Sequence, residues 1–492
     1  MPKPLLCVTV TAPTMAELRR RRDEATGADL VELRLDTVSD PDVAGALAGR
    51  RRPVLVTCRP EWEGGHFKAS EEARKAILAS ACALGADFVD IEWRARFDDL
   101  IAARDGRGVV LSAHDFGGLP NDLQGQLRAM RATGAKIVKM AVTPAQLSDC
   151  VTLLEFGGLE CRKGSLVLVG MGDYGLVTRI LAGRFGSMWT YAGSIRDIGQ
   201  VSLGDLVNQY RFQSIGEDTH VYGLVAGSVA HSVSPAMHNA AFRAAGIDAV
   251  YVPMPARSAD DFMVFARAIG LKGASVTIPH KVSLSQRMDE LDEAARRAGA
   301  INTIRGGERW IGSNTDGVGF IRALRKRVPA DQLAGLRASV LGAGGAARAV
   351  ATALTACGCS VLIHARDRSR AIEIAALTAA EPGPWPPVRG SWDLLINCTP
   401  VGMYPRVDDT PVPIEALSGR YVYDLVYKPP ITRLLRDAAR VGGQTIGGLD
   451  MLVEQAIEQF RWWTGVTVAP DVMREAALAR LAEFARDENY VV

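Results

Sequence analysis

Eight short apolar runs, rich in β-branched residues, succeed one another through the first 200 residues, at 6–10, 30–35, 54–57, 88–92, 109–112, 137–140, 166–169 and 188–191. Several of the gaps between them, 71–84 and 121–133 among them, carry apolar residues at helical spacing. Continuous apolar strands alternating with amphipathic helices imply parallel strands covered on both faces. Eight such units fit a (β/α)8 TIM barrel near the small end of its size range. A doubly wound open sheet remains the rival architecture. The chain runs on to 492 residues, and at roughly 150 residues per domain that leaves room for about two more domains.

Charge and composition narrow the function classes. Fifty-seven Lys+Arg against 55 Asp+Glu leave a net charge of +2, so no global basic field exists for nucleic acid or acidic membranes. No apolar stretch reaches the roughly 18 residues of a membrane span. Residues 1–13 lead into a strand instead of the basic start and apolar core of a signal peptide. The eight cysteines are scattered, without C-x-x-C pairs or zinc spacing. They read as small buried hydrophobes, and no metal is expected. These features predict a cytoplasmic enzyme acting on small molecules, with no nucleic acid or membrane partner, as a monomer or homodimer.

A barrel makes one further demand, that active-site groups sit at the C-terminal ends of its strands. Polar residues fall there. The second run carries Glu32 and Arg34, the third leads to Arg59 and then Glu63-Gly64-Gly65, and the fourth holds Asp90 and Glu92. The fifth ends in Ser112-Ala113-His114-Asp115, the sixth contains Lys139, and the turn before the eighth offers Arg184. One lysine, one histidine, several acids and three arginines suit an anionic substrate with Schiff-base or proton-transfer chemistry. Lys139 lies in the apolar run Ile137–Val142. Burial and neighbouring arginines would there favour a free amine able to attack a ketone. The bland alternatives are a snorkelling Lys139, a core His114 and a Glu32–Arg34 pair.

Together these stretches resemble the type I 3-dehydroquinate dehydratases over about residues 5–205. The matching pieces are Val31–Asp36, Arg59 with Glu63-Gly64-Gly65, His114-Asp115-Phe116, Lys139–Val142, Arg184–Ser187 and Gly199-Gln200. The resemblance implies that Lys139 forms an imine with the substrate C3 ketone. His114 would take the C2 proton and return one to the departing hydroxyl, with Glu63 orienting it. Glu32, Arg34, Arg59, Arg184 and Gln200 would bind hydroxyls and carboxylate. One departure stands out, because Arg196-Asp197-Ile198 replaces the family's Ser-Ala-Pro ahead of Gly199-Gln200.

A polar passage at 214–219 precedes a new strand at 221–225 and places a boundary near 217. Downstream, Gly342-Ala343-Gly344-Gly345-Ala346-Ala347 follows one apolar run and opens a helix over 346–356. Such glycines permit a tight turn and close backbone approach to a pyrophosphate at the helix N-terminus. The next strand, 360–364, runs into Arg366-Asp367-Arg368-Ser369-Arg370. Arginines there suit the 2′-phosphate of NADP, whereas an acid suits NAD, so Asp367 leaves the preference open while the balance favours NADP. A strand at 392–397 leads to Thr399 and Met403, in a turn able to border the nicotinamide. Upstream, Ser232 and Ser234 sit ahead of a helix whose first turn accepts Pro235, an arrangement suited to a carboxylate or simply to a cap. Lys281, after Thr277-Ile278-Pro279-His280, and Asp316, after Asn314-Thr315, each end a strand-like run. An adjacent Lys–Asp pair can relay a proton at a reacting hydroxyl.

This set resembles the shikimate dehydrogenases over about residues 221–485. The resemblance implies that Ser232 and Ser234 hold the substrate carboxylate and that Lys281 and Asp316 form the catalytic pair. Thr277, Asn302, Tyr427, Gln455 and Gln459 would hold ring hydroxyls. Gly342 to Ala346, Arg366, Arg370, Thr399, Met403, Gly448 and Met451 would contact NADP. The expected organisation is a dehydratase barrel at 1–216, a substrate lobe at 217–325 and a Rossmann lobe at 326–492, with the C-terminal helix free to return to the substrate lobe. The expected activity is dehydration of 3-dehydroquinate to 3-dehydroshikimate, then NADPH-dependent reduction to shikimate. A shikimate or quinate dehydrogenase with an impaired barrel, and a non-catalytic regulatory homologue, are the alternatives.

Overall fold

The computed structural model describes residues 3–193, 199–229 and 232–489. The chain forms two compact units, Met1–His220 with Val252–Ile269, and Val221–Tyr251 with Gly270–Val492.

The first unit is built on eight parallel strands: β1 Leu5–Val10, β2 Leu30–Arg34, β3 Val54–Thr57, β4 Phe88–Glu92, β5 Val109–Asp115, β6 Ile137–Val142, β7 Leu166–Gly170 and β8 Trp189–Ala192. They pair in the order β7-β6-β5-β4-β3-β2-β1-β8. The Met188 N–H donates to Leu166 O (2.9 Å), so the two end strands meet and the sheet curls into a barrel. Residues two apart in a strand share a face, and that period sorts the chemistry along the barrel. On β2 the inward face runs Leu30, Glu32, Arg34; on β5 it runs Val110, Ser112, His114; on β6, Ile137, Lys139, Ala141. The leading residues join Cys7, Leu55, Val167 and Trp189 in an apolar plug, and the residues after them furnish the polar mouth.

After the barrel strands the chain forms two further sheets. The first is mixed and uses β9 His220–Ala226, β10 Ala249–Pro255, β11 Gly273–Val276, β12 Glu290–Leu291, β13 Thr303–Arg305 and β14 Ile311–Ser313, in the order β10-β9-β11-β13-β14-β12. The second comprises β15 Arg337–Leu341, β16 Ser360–His364, β17 Glu381–Pro382, β18 Leu394–Asn397, β19 Tyr421–Asp424 and β20 Gln444–Ile446. Its order is β17-β16-β15-β18-β19-β20, and all its pairs are parallel. The chain winds outward from β15 in both directions. The crevice beyond the ends of β15 and β18 is therefore the switch point at which such sheets bind ligands. The C-terminal helix, Pro470–Asn489, returns to the substrate lobe: Met473, Ala477 and Leu481 share an apolar cluster with Met237, Ala241 and Phe242 of helix Ser234–Ala244.

Candidate active sites

At the C-terminal end of the barrel lies a cavity of about 90 Å³, lined by Glu32, Arg34, Arg59, Glu63, His114, Lys139 and Gln200 among others. Lys139 is only 5% exposed. Its Nζ lies 3.3 Å from Asp90 Oδ2, 3.9 Å from Glu32 Oε1 and 4.5 Å from the centre of the Tyr191 ring. The charges beside its amine are thus carboxylates and not the arginines expected from the sequence. Asp90 in turn accepts from Arg59 Nη2 (3.0 Å) and Ser112 Oγ (2.6 Å), and Arg59 also reaches Glu92 (2.8 Å). Glu32 accepts from Thr9 and Thr57. Arg34 forks onto Asp36 (2.9 and 2.7 Å), not onto Glu32, because β2 gives way to a 3-10 turn at Leu35–Thr37 that brings Asp36 back beneath the guanidinium.

His114 and Glu63 meet at the wall of this cavity. Glu63 Oε1 accepts the His114 backbone N–H (2.8 Å) and lies 3.3 Å from Nδ1. A proton on Nδ1 satisfies that contact, which assigns the tautomer and leaves Nε2 as an acceptor. Burial, reinforced by the charges of Arg59, Lys139 and Arg34, holds the imidazole well below its ordinary range, so it is a neutral base at physiological pH. Burial pushes the Glu63 carboxyl upward.

Arg184 departs from expectation. Its guanidinium reaches Ile269 O (3.4 Å) and Glu217 O (3.3 Å), and it does not line the cavity. Arg179 lines it instead. This residue sits on helix Gly172–Ile180, is buried, and donates from Nε to Gly170 O (2.9 Å) at the end of β7. The available signal was an arginine within the apolar stretch Leu176–Leu181. Asp90 was visible as an acid in an apolar strand, although only its contact with Lys139 gives it a role. Arg196, Asp197 and Ile198 lie outside the described residues.

In the second unit, Lys281 Nζ donates to Asp316 Oδ2, while Asp316 Oδ1 accepts from Asn302 Nδ2 (2.7 Å). Asp316 begins helix Asp316–Arg325, where the positive end of the helix dipole favours a carboxylate. Asn302 Nδ2 also reaches Gln455 Oε1 (3.2 Å), so Lys281, Asp316, Asn302 and Gln455 form one hydrogen-bonded group. The turn carrying Thr277 abuts the loop after β9, since Gly227 N–H donates to Ile278 O (3.1 Å). Farther along that loop, Ser232 Oγ accepts the Ser234 N–H (3.2 Å). Tyr427 is half-buried, and burial raises its phenol.

Gln459 is a correction to its expected role. Its amide is consumed by Ser275 Oγ (2.8 Å), Asn302 O (2.9 Å) and Thr303 Oγ1 (2.9 Å), and it is 1% exposed. One helical turn beyond Gln455, it braces the substrate lobe from behind. Met451 packs at the edge of buried residues of the Rossmann lobe, 7% exposed.

The glycine-rich turn fits a dinucleotide. Gly342 has φ +113°, and a Cβ there would meet Thr399 Cγ2 at 3.1 Å, so a side chain would be both strained and obstructed. A Cβ on Gly344 would point into open space. Gly344 caps helix Gly345–Ala356 without any side-chain acceptor, and the first N–H groups, from Gly345 and Ala346, are available to a pyrophosphate. The exposed Arg366 and Arg370 flank Asp367, whose carboxylate accepts from Ser369 N (3.0 Å) and Arg370 N (3.4 Å). The acid that clouded the cofactor assignment is thus a helix cap. Thr399 Oγ1 donates to Asn397 Oδ1 (2.7 Å) and shapes the turn leading to the exposed Met403. Gly448 permits close backbone packing, since a Cβ would lie 2.2 Å from Leu425 O. A Cβ on Gly345 would stand 3.4 Å from Lys281 Cδ, which puts Lys281 beside the glycine-rich turn.

Three family profiles match stretches of this chain. The family profile "Type I 3-dehydroquinase" matches residues 6–217, "Shikimate dehydrogenase substrate binding domain" residues 224–304, and "Shikimate 5′-dehydrogenase C-terminal domain" residues 448–478. A bifunctional 3-dehydroquinate dehydratase/shikimate dehydrogenase of Arabidopsis thaliana, described as chloroplastic, is 35% identical over 94% of this chain and 82% of its own. A shikimate dehydrogenase (NADP(+)) of Moorella thermoacetica is 43% identical over 52% of this chain and 94% of its own. A crystal structure of a shikimate dehydrogenase in complex with NADP+ superposes with TM-score 0.51 at 37% identity, covering 54% of this chain and 96% of that one.

Proposed function

The chain belongs to the family of bifunctional 3-dehydroquinate dehydratase/shikimate dehydrogenases, and from that premise we propose that its first unit dehydrates 3-dehydroquinate and its second reduces the resulting 3-dehydroshikimate to shikimate. The observation that carries the dehydratase reading is Lys139, a nearly buried lysine that opens onto the same cavity as His114 Nε2.

In the barrel, the Lys139 amine adds to the substrate ketone and water leaves, giving an imine. Nε2 of His114 takes the C2 proton, and the electron pair moves toward the imine nitrogen. Glu63, on Nδ1, steadies the imidazolium that results. The same proton then leaves with the departing hydroxyl as water, and hydrolysis of the imine frees Lys139. Asp90 and Glu32 hold the amine in place, and Arg34, Arg59, Arg179 and Gln200 supply donors for carboxylate and hydroxyls.

In the second unit, Ser232 and Ser234 present hydroxyls for the substrate carboxylate, and Asn302 and Gln455 orient the group around Asp316. Gly344 to Ala346 would hold the cofactor pyrophosphate and Arg366 with Arg370 its 2′-phosphate. Bound NADPH supplies the hydride equivalent. Lys281 delivers the proton to the carbonyl oxygen as it becomes a hydroxyl, and Asp316 holds the ammonium in place.

No helix among the described residues is long and apolar enough to cross a membrane, and all eight cysteines are unpaired, which suits a reducing compartment such as the cytoplasm. The test is NADPH consumption on adding 3-dehydroquinate alone to the pure protein. Steady oxidation is expected. Oxidation that starts only with 3-dehydroshikimate would remove the barrel activity from this reading, and silence with both would overturn it.

A further inference from the structure

Helix Asp316–Arg325 presents a second face away from the Lys281–Asp316 pair. Between it, helix Gly345–Ala356 and helix Glu293–Ala298 lies a cavity of about 370 Å³. Its walls are apolar, from Val318, Ile321, Ala349, Ala353 and Ala298, and its polar border carries Arg297, Arg322 and Arg325. Among the described residues, no acidic side chain lines it. Arg297 pairs with Glu293, and Arg322 lies 3.0 Å from Glu458, which it shares with Arg461. Arg325 is exposed and has no acidic partner among the described residues. Thr352 also lines the cavity, and its Oγ1 is buried and makes no hydrogen bond among the described residues. Buried polar atoms ordinarily find partners.

We infer that this cavity is a ligand site separate from both catalytic sites, and that it takes a single-ring aryl anion, a phosphate or carboxylate on an apolar body. The guanidinium groups match the anion in charge and in forked geometry. The alanine-lined walls admit a flat ring, and the volume lies in the range of small-molecule pockets.

Calorimetric titration of the full chain with phenyl phosphate tests the site, with NADP+ and 3-dehydroshikimate added and brought to equilibrium beforehand to fill the two proposed catalytic sites. Benzyl alcohol and inorganic phosphate serve as the two half-ligands. Phenyl phosphate is expected to bind more tightly than either half. Arg325→Glu and Ala353→Trp are each expected to weaken it at least about tenfold, with shikimate oxidation retained. Should Ala353→Trp fail to fold, Ala353→Leu fills the same space more gently. The assignment rests on these variants and not on the blocking ligands, so it is read independently of the proposed reaction. No heat up to about 10 mM, or binding that survives either substitution, overturns the site.

Discussion

One carboxylate oxygen, Glu63 Oε1, accepts the backbone N–H of His114 and lies 3.3 Å from its ring Nδ1, while Oε2 has no partner among the described residues. The carboxylate therefore fixes the loop, the tautomer and the charge partner of the base at once. Glu63→Gln keeps an acceptor oxygen but removes the charge that steadies the imidazolium. Dehydration should fall roughly tenfold to hundredfold, about 1.4–2.7 kcal/mol of barrier, while borohydride still traps the imine at Lys139. Because His114 is held below its ordinary range, the neutral base persists as pH falls through 6.5. The wild-type rate should lose its histidine-dependent limb only well below that pH. A limb at 6.5, or a Glu63→Gln variant with full activity, would refute this role.

Two lysines, Lys139 and Lys281, each touch a carboxylate, and the proposed function gives one to each reaction. Lys139→Ala should abolish dehydration and the borohydride adduct, read by mass spectrometry, and leave shikimate oxidation intact. Lys281→Ala should do the reverse, lowering shikimate oxidation by roughly 10²–10⁴-fold, the usual scale for a lost acid–base group. Loss of both activities in either variant, with the fold preserved, would contradict independent sites.

Strand positions were readable because a parallel sheet covered on both faces leaves long apolar runs. The predicted 54–57, 88–92 and 360–364 coincide with β3, β4 and β16. Residues borne directly on strand ends, such as Glu32, His114 and Lys139, were equally legible, since period two fixes their direction. Arg179 and Arg184 were not, because both follow β7 on helical segments, where five residues of separation turn one inward and the other away. Gln455 and Gln459 fail differently. One helical turn apart, they share a face, but depth along that face decides which borders Asp316 and which is buried behind Asn302. The role of Asp367 as a cap depends on its extended φ and ψ, which composition does not disclose.

Asp424 couples the Rossmann lobe to pH. Its carboxylate accepts from Asn397 Nδ2, Val426 N and Thr432 Oγ1, yet burial outweighs these bonds and pushes it up to about 6. A carboxyl raised in the folded state contributes stability that is complete below its unfolded pKa and lost as pH rises through about 6. A shift of about two units corresponds to about 3 kcal/mol. Asp424→Asn stays neutral throughout, so its melting temperature relative to wild type should climb between pH 5 and pH 8. An equal difference at both pH values would show that Asp424 ionises without cost.

Arg179 and Arg184 make opposite predictions for the barrel. Arg179 lines the Lys139 cavity, and burial lowers its guanidinium to about 10. An anion beside it offsets that desolvation, so a substrate carboxylate gains more there than at a solvated arginine. Arg184 spends its donors on the carbonyls of Ile269 and Glu217, outside the cavity. Arg179→Lys keeps a positive charge but loses the planar fork. Its KM for 3-dehydroquinate should rise roughly tenfold or more, the scale of one charge-assisted contact, with shikimate oxidation unchanged. Arg184→Ala should leave that KM within about twofold and cost at most some thermal stability. Steady-state dehydration kinetics on the two variants decide the matter, and a large KM effect from Arg184 alone would return the substrate carboxylate to the residue first suggested by the sequence.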